Sequence, residues 1–253
     1  MADLAVLALG LGLMPLAAIL LYSFAPFVAR HREATWGVLA GVVAFLGLSH
    51  AMASVLLDHT LLGDRLLATS LGVIGLLIGV GVGWILLEGP FIATEPNRIL
   101  WAAVAFLGLH SLGDGLVLGG AFLGIATPNL PLDGVTVSAT VIHRFVEGSL
   151  VVVPALLASW KSRWTFVLLF ASLVSVPAAY LPSWLFQIFP DPSVRSTVEI
   201  GISMVASAVE VTLALFIVTR AFLPLASISR GSRWLLWTAA GFVGINFVHF
   251  LVE

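Results

Sequence analysis

Most of the charged residues of this chain fall in seven short polar clusters, at Arg30–Glu33, Asp58–Arg65, Glu88–Arg98, Thr127–Asp133, Lys161–Arg163, Pro190–Arg195 and Arg220–Arg233. The eight stretches between and beside them are long and apolar, near 4–29, 35–57, 66–88, 99–125, 134–159, 163–188, 196–219 and 233–251. A helix needs roughly 20 apolar residues to cross a bilayer, and each stretch meets that length. The pattern predicts an all-α polytopic membrane protein: one domain over 1–253, eight transmembrane helices in a bundle, no separate soluble domain. Composition agrees. The chain is 60% hydrophobic and 9% charged with a mean hydropathy of +1.12, whereas a soluble domain carries about 25% charged residues. A water-soluble globule, a disordered chain and a nucleic-acid binder are excluded on these grounds. The absence of cysteine excludes disulfides, thiolate metal sites and cysteine nucleophiles. The first stretch lacks a basic leader and is too long for a signal-peptide core, so it reads as a retained span.

Loop charges set the expected orientation. Arg30, Arg32, Arg98, Lys161, Arg163, Arg220, Arg230 and Arg233 lie in odd-numbered loops, and only Arg65 and Arg195 in even-numbered ones. Positive charge favours the cytoplasmic side, which puts the odd loops inside and both termini outside. The default location is a plasma membrane or a prokaryotic inner membrane. Gly75, Gly79 and Gly83 recur every fourth residue in the third stretch, a smooth stripe suited to close helix packing. Pro154 and Pro177 interrupt the backbone ladders of the fifth and sixth stretches.

Ionisable residues inside a membrane are costly and tend to mark sites or pathways. His110 and Asp114 stand four apart in HSLGDG, and His143 and Glu147 repeat that spacing in HRFVEG. Residues four apart share a helix face. Two neighbouring helices thus each offer an imidazole and a carboxylate from successive turns. Two nitrogens and two oxygens suit Zn²⁺ and similar divalent transition metals. His50 and His249 taken singly read more readily as packing residues. Glu210 reads either as a pathway residue or as the counter-ion of Arg144.

These segments resemble the ZIP family of divalent metal transporters. HSLGDGLVLGGAF is similar to the family's helix 4 signature, and VIHRFVEGSLVVVPAL to its helix 5 signature, down to the later proline. GVVAFLGLSHAM in the second stretch and GISMVASAVEV in the seventh are weaker matches. The resemblance implies that His110, Asp114, His143 and Glu147 form the first site of the family's two-metal centre. Its second site is altered: Ser111 stands where the family has Asn, Arg144 where it has an acid, and Val176 where a Glu often precedes the proline. The Glu88–Arg98 link is short and lacks the histidines common in the family.

The expected function is therefore ZIP-like transport of a divalent transition metal toward the cytoplasm, Zn²⁺ first and Fe²⁺, Mn²⁺ or Cd²⁺ by similar chemistry. The metal is cargo held at a mononuclear site between helices 4 and 5, with Arg144 standing in for the second cation. Glu199 and Asp191 are expected near the outer mouth, and His50 and Glu210 along the exit. The protein is not expected to be an enzyme; its expected partners are the metal and the lipid bilayer, with homodimerisation left open. Two alternatives stand beside this reading, an intramembrane zinc hydrolase and a transport-inactive relative that binds metal.

Overall fold

Backbone N–H and C=O groups in lipid have no water to bond, so a crossing segment must satisfy them internally as a helix or closed barrel. The computed structural model describes residues 17–122, 134–172, 185, 188, 189, 191–228 and 232–252, and its regular elements there are all helices. α1 comprises residues 17–23 and Ala25–Arg30, α2 runs Arg32–Leu62, α3 Arg65–Leu87, α4 Glu95–Phe122, α5 Gly134–Leu157 and α6 Ser162–Ser172. α7 begins at Pro192 and continues to Ala226, and α8 spans Arg233–Val252. Four of these, α2, α3, α7 and α8, are long and apolar enough to cross a membrane among the described residues. The chain is a helical membrane protein.

The helices begin and end close to the positions expected from sequence, with informative exceptions. α2 passes through Asp58 instead of stopping before it, because that carboxylate is tucked into the bundle at 7% exposure. The real break is at Gly63, whose positive φ of 70° ends the helix, and Asp64, which caps α3 by accepting from the N–H groups of Leu66 and Leu67. α7 is longer than 196–219 because Arg220 remains helical and reaches outward, 3.7 Å from Glu88. Residues 4–16 of the first expected span, and the part of the sixth holding Val176 and Pro177, lie outside the described residues.

Two helices carry π turns, Leu46–Ala51 in α2 and Val218–Phe222 in α7. A π turn inserts one residue into the helical repeat and rotates everything beyond it. These two helices pack together, and His50 lies within the first of the turns.

α3 shows how the bundle is held. Gly72, Gly75, Gly79 and Gly83 are buried, while Leu66, Val73, Ile74, Leu77 and Trp84 are exposed. Small residues inside and large apolar ones outside is the inverse of a soluble helix, and suits a solvent of lipid tails. The stripe lies on α7. A Cβ added at Gly75 would stand 2.7 Å from Ala208 Cβ and 2.8 Å from the Val205 carbonyl, and one at Gly79 would collide with Thr212 Oγ1. α2 and α8 make a similar contact, in which Gly41 meets Thr238 and Gly241 meets Val38. The interior between α2, α4 and α7 is filled by Leu46, Phe106, Leu213, Ile217 and Phe222, all almost fully buried. α4 also packs on α5 and α6, and α5 on α8. The five helices α2, α4, α5, α7 and α8 thereby meet around one polar cluster.

Candidate metal centre

The cluster is assembled from helical positions, mid-helix except for His249 in the last turn of α8, and its chemistry is carried by side chains. α4 supplies His110, α5 supplies His143, Arg144 and Glu147, α7 supplies Glu210, α2 supplies His50 and α8 supplies His249. Glu147 is at its centre and fully buried. Its Oε1 lies 3.0 Å from His143 Nε2 and 3.2 Å from His110 Nε2. Its other oxygen, Oε2, accepts a 2.8 Å hydrogen bond from Arg144 Nη1. One carboxylate therefore divides its two oxygens between a guanidinium and a pair of imidazoles.

His110, His143 and Glu147 each offer a ligand atom, and the three atoms lie within 4.8 Å of one another. Ligands about 2.0–2.1 Å from a tetrahedral zinc stand about 3.3 Å apart, so the observed 3.0 and 3.2 Å spacings fit two edges of such a shell. Behind the group, His110 Nδ1 lies 3.1 Å from Glu210 Oε1. A metal-binding histidine commonly donates its far N–H to a carboxylate, which fixes its tautomer and points the other nitrogen at the metal. Glu210 is placed to do this for His110. Of its two expected readings, pathway residue or counter-ion of Arg144, the second is not what is seen: Glu210 meets His110, and Arg144 reaches Glu147 on its own helix, three residues away.

Charge points the same way. Among the described side chains, Glu147 and Glu210 bring two negative charges into a buried site and Arg144 one positive charge, so with neutral histidines these leave one negative charge over. A low-dielectric interior penalises such a charge strongly. A cation or a proton on His110, which lies between the two carboxylates, restores the balance.

The remaining expected site residues are distributed as follows. Asp114 is on the described backbone of α4, but its side chain lies outside the described residues. Ser111 is fully buried, and its hydroxyl has no hydrogen-bond partner among the described residues; it is not part of the three-ligand group. Asp191 is exposed at the start of α7, where it caps the helix by accepting from the Ser193 N–H at 2.8 Å. A hydrogen bond from the Ser193 hydroxyl at 2.7 Å, together with that N–H, holds its carboxyl below the ordinary range. Glu199 is eleven residues before Glu210 on α7, about 16 Å along the helix, and does not reach the cluster. His50 does reach it: its Nδ1 lies 2.9 Å from His249 Nε2, and its ring stands edge-on to His110 at 5.8 Å between centroids. His249 is the member least visible in the sequence, and its ring is 5.2 Å from that of His143. The available signal was its place as the single ionisable side chain between Arg233 and Glu253.

Compared with known proteins, the chain matches no protein-family model and no curated protein.

Proposed function

We propose that the chain is a ZIP-like transporter that moves a divalent transition metal, Zn²⁺ foremost and Fe²⁺, Mn²⁺ or Cd²⁺ by similar chemistry, toward the cytoplasm. The observation that carries this reading is the buried His110–Glu147–His143 group with Glu210 behind it. Its ligand types and spacings suit a borderline divalent ion, and its position within packed helices is where secondary transporters hold their cargo. The described charges offer one net negative charge to an ion carrying two positive ones.

In this reading the chain is an eight-span bundle with both termini outside. Successive helices of such a bundle alternate in direction, which makes α2 parallel to α8 and α3 parallel to α7. The glycine contacts follow this rule, since Gly75, Gly79 and Gly83 of α3 meet Ala208, Thr212 and Phe216 of α7 in rising order. In this reading a single ion is bound, with the Arg144 guanidinium occupying the space and charge of a second.

Arg144 also sustains a second reading, a transport-inactive relative that binds metal, since its bond to Glu147 opposes the cation. Uptake of Zn²⁺ into liposomes holding the purified protein and an indicator dye separates the two. Transport predicts uptake above that of empty liposomes, lost in Glu147→Ala together with tight binding. Binding without uptake selects the inactive relative, and unchanged Zn²⁺ affinity in Glu147→Ala overturns the site itself.

A further inference from the structure

We propose that His50 and His249 form a second station for the same divalent ion, built from two neutral imidazoles beside the first. The proposal rests on the metal reading of His110, His143 and Glu147. It adds a ligand pair from α2 and α8, outside the paired motifs of α4 and α5.

The two imidazoles face each other nitrogen to nitrogen across a hydrogen bond. His50 Nδ1 and His249 Nε2 are 2.9 Å apart, with their rings nearly perpendicular at 85°. Two nitrogens on one tetrahedral ion stand about 3.3 Å apart, so a small ring rotation admits an ion between them. His249 is buried, and its ring is also edge-on to Phe45 at 5.6 Å. The helices that carry the pair are locked by the contacts of Gly41 and Gly241. The π turn Leu46–Ala51 holds His50 toward α8 and α4.

The pair is continuous with the first site. The His249 ring is 5.2 Å from His143 and the His50 ring 5.8 Å from His110. Four imidazoles thus form a closed cluster with Glu147 and Glu210 on one side. Two divalent ions at such separation repel strongly, and the described carboxylates supply too little charge to hold both. The stations are therefore occupied in turn. The site with Glu147 binds more tightly than the histidine pair, so the ion advances by exchanging imidazole ligands in place of entering lipid bare.

Binding of Co²⁺ to the purified protein, followed by its d–d absorption, tests this. Wild type is expected to bind one ion. Glu147→Gln is expected to retain one Co²⁺ with roughly 10–1,000-fold weaker affinity. That residual binding should vanish in Glu147→Gln/His249→Gln and in Glu147→Gln/His50→Gln, with thermal melting confirming that each variant is folded. Residual binding that survives loss of His249, or none in Glu147→Gln, overturns the second station while leaving the first intact. A wild type that binds no Co²⁺ removes the first site and the second with it. In liposomes, His249→Gln is expected to lower Zn²⁺ flux at least roughly tenfold with equilibrium affinity changed less than about threefold. Unaltered flux overturns the relay.

Discussion

Glu147 is a buried carboxylate with two occupied oxygens, and its surroundings assign each oxygen a separate task. Arg144 at 2.8 Å holds Oε2, which leaves Oε1 for the imidazoles of α4 and α5. At ~6 Å and an effective dielectric of ~20, a guanidinium opposes a divalent ion by about 5 kcal/mol before carboxylates offset it. Arg144→Gln removes that opposition and keeps a hydrogen-bond donor for Oε2. Zn²⁺ affinity measured by calorimetry is expected to rise at least roughly tenfold. An unchanged affinity would mean that Arg144 only tethers the carboxylate. Glu210 acts one step further out, through His110 Nδ1. Loss of such an orienting carboxylate typically costs about 10–100-fold in metal affinity. Glu210→Gln is expected to weaken Zn²⁺ binding within that range without changing the one-ion stoichiometry, and titration against a competing chelator reads both quantities.

Among the elements, α3 offers the cleanest contrast between two glycines of one helix. Gly79 faces α7, where an added Cβ meets Thr212 and stands 2.7 Å from the Val209 carbonyl. Gly81 points the other way, with nothing within 4 Å. Overpacking a tight contact costs about 1–3 kcal/mol or more, so Gly79→Val is expected to lower the Tm in detergent clearly. Gly81→Ala fills open space and gains up to about 1 kcal/mol of helix propensity, so its Tm is expected to hold or rise. Equal losses in both variants would show that the stripe is not what joins α3 to α7. The π turns act on a different property of the element. They alter the rotational phase of α2 and α7 without altering where either begins, and His50, within the first of them, meets His249 and His110.

Taken as a whole, the molecule brings most of its basic residues and tryptophans to one end. Arg98 and Trp101 open α4, Lys161 and Arg163 sit between Trp160 and Trp164, and Arg233 and Trp234 open α8. Trp160 bonds Asn97 and stacks edge-on against Trp101, which joins the end of α5 to the start of α4. Arginine, lysine and tryptophan favour the membrane–water interface, and the basic residues favour its cytoplasmic side. The chain has no native cysteine, so single cysteines report sidedness directly. Ser162→Cys is expected to react with a membrane-impermeant thiol reagent only from the cytoplasmic side, and Ser196→Cys only from the opposite side. Labelling of both from one side would refute the alternating topology.

The sequence determined what depends on neighbours along the chain. Apolar runs bounded by charges located the helices, because the transfer of a segment into lipid is nearly additive over its own residues. The four-residue spacing of His143 and Glu147 put two ligands on one face, because a helix repeats locally every 3.6 residues. The stripe of Gly75, Gly79 and Gly83 announced a close contact for the same reason, though not that α7 would be the partner. Only the tertiary structure decided what depends on the rotation of one helix against another. It gave Glu210 to His110, bonded Arg144 to Glu147, and brought His249 from an otherwise apolar helix into the cluster. A helix turned about its own axis keeps the same sequence and nearly the same exposure of apolar surface to lipid. Its phase is set by packing, by glycine contacts and by π turns that no local pattern announces.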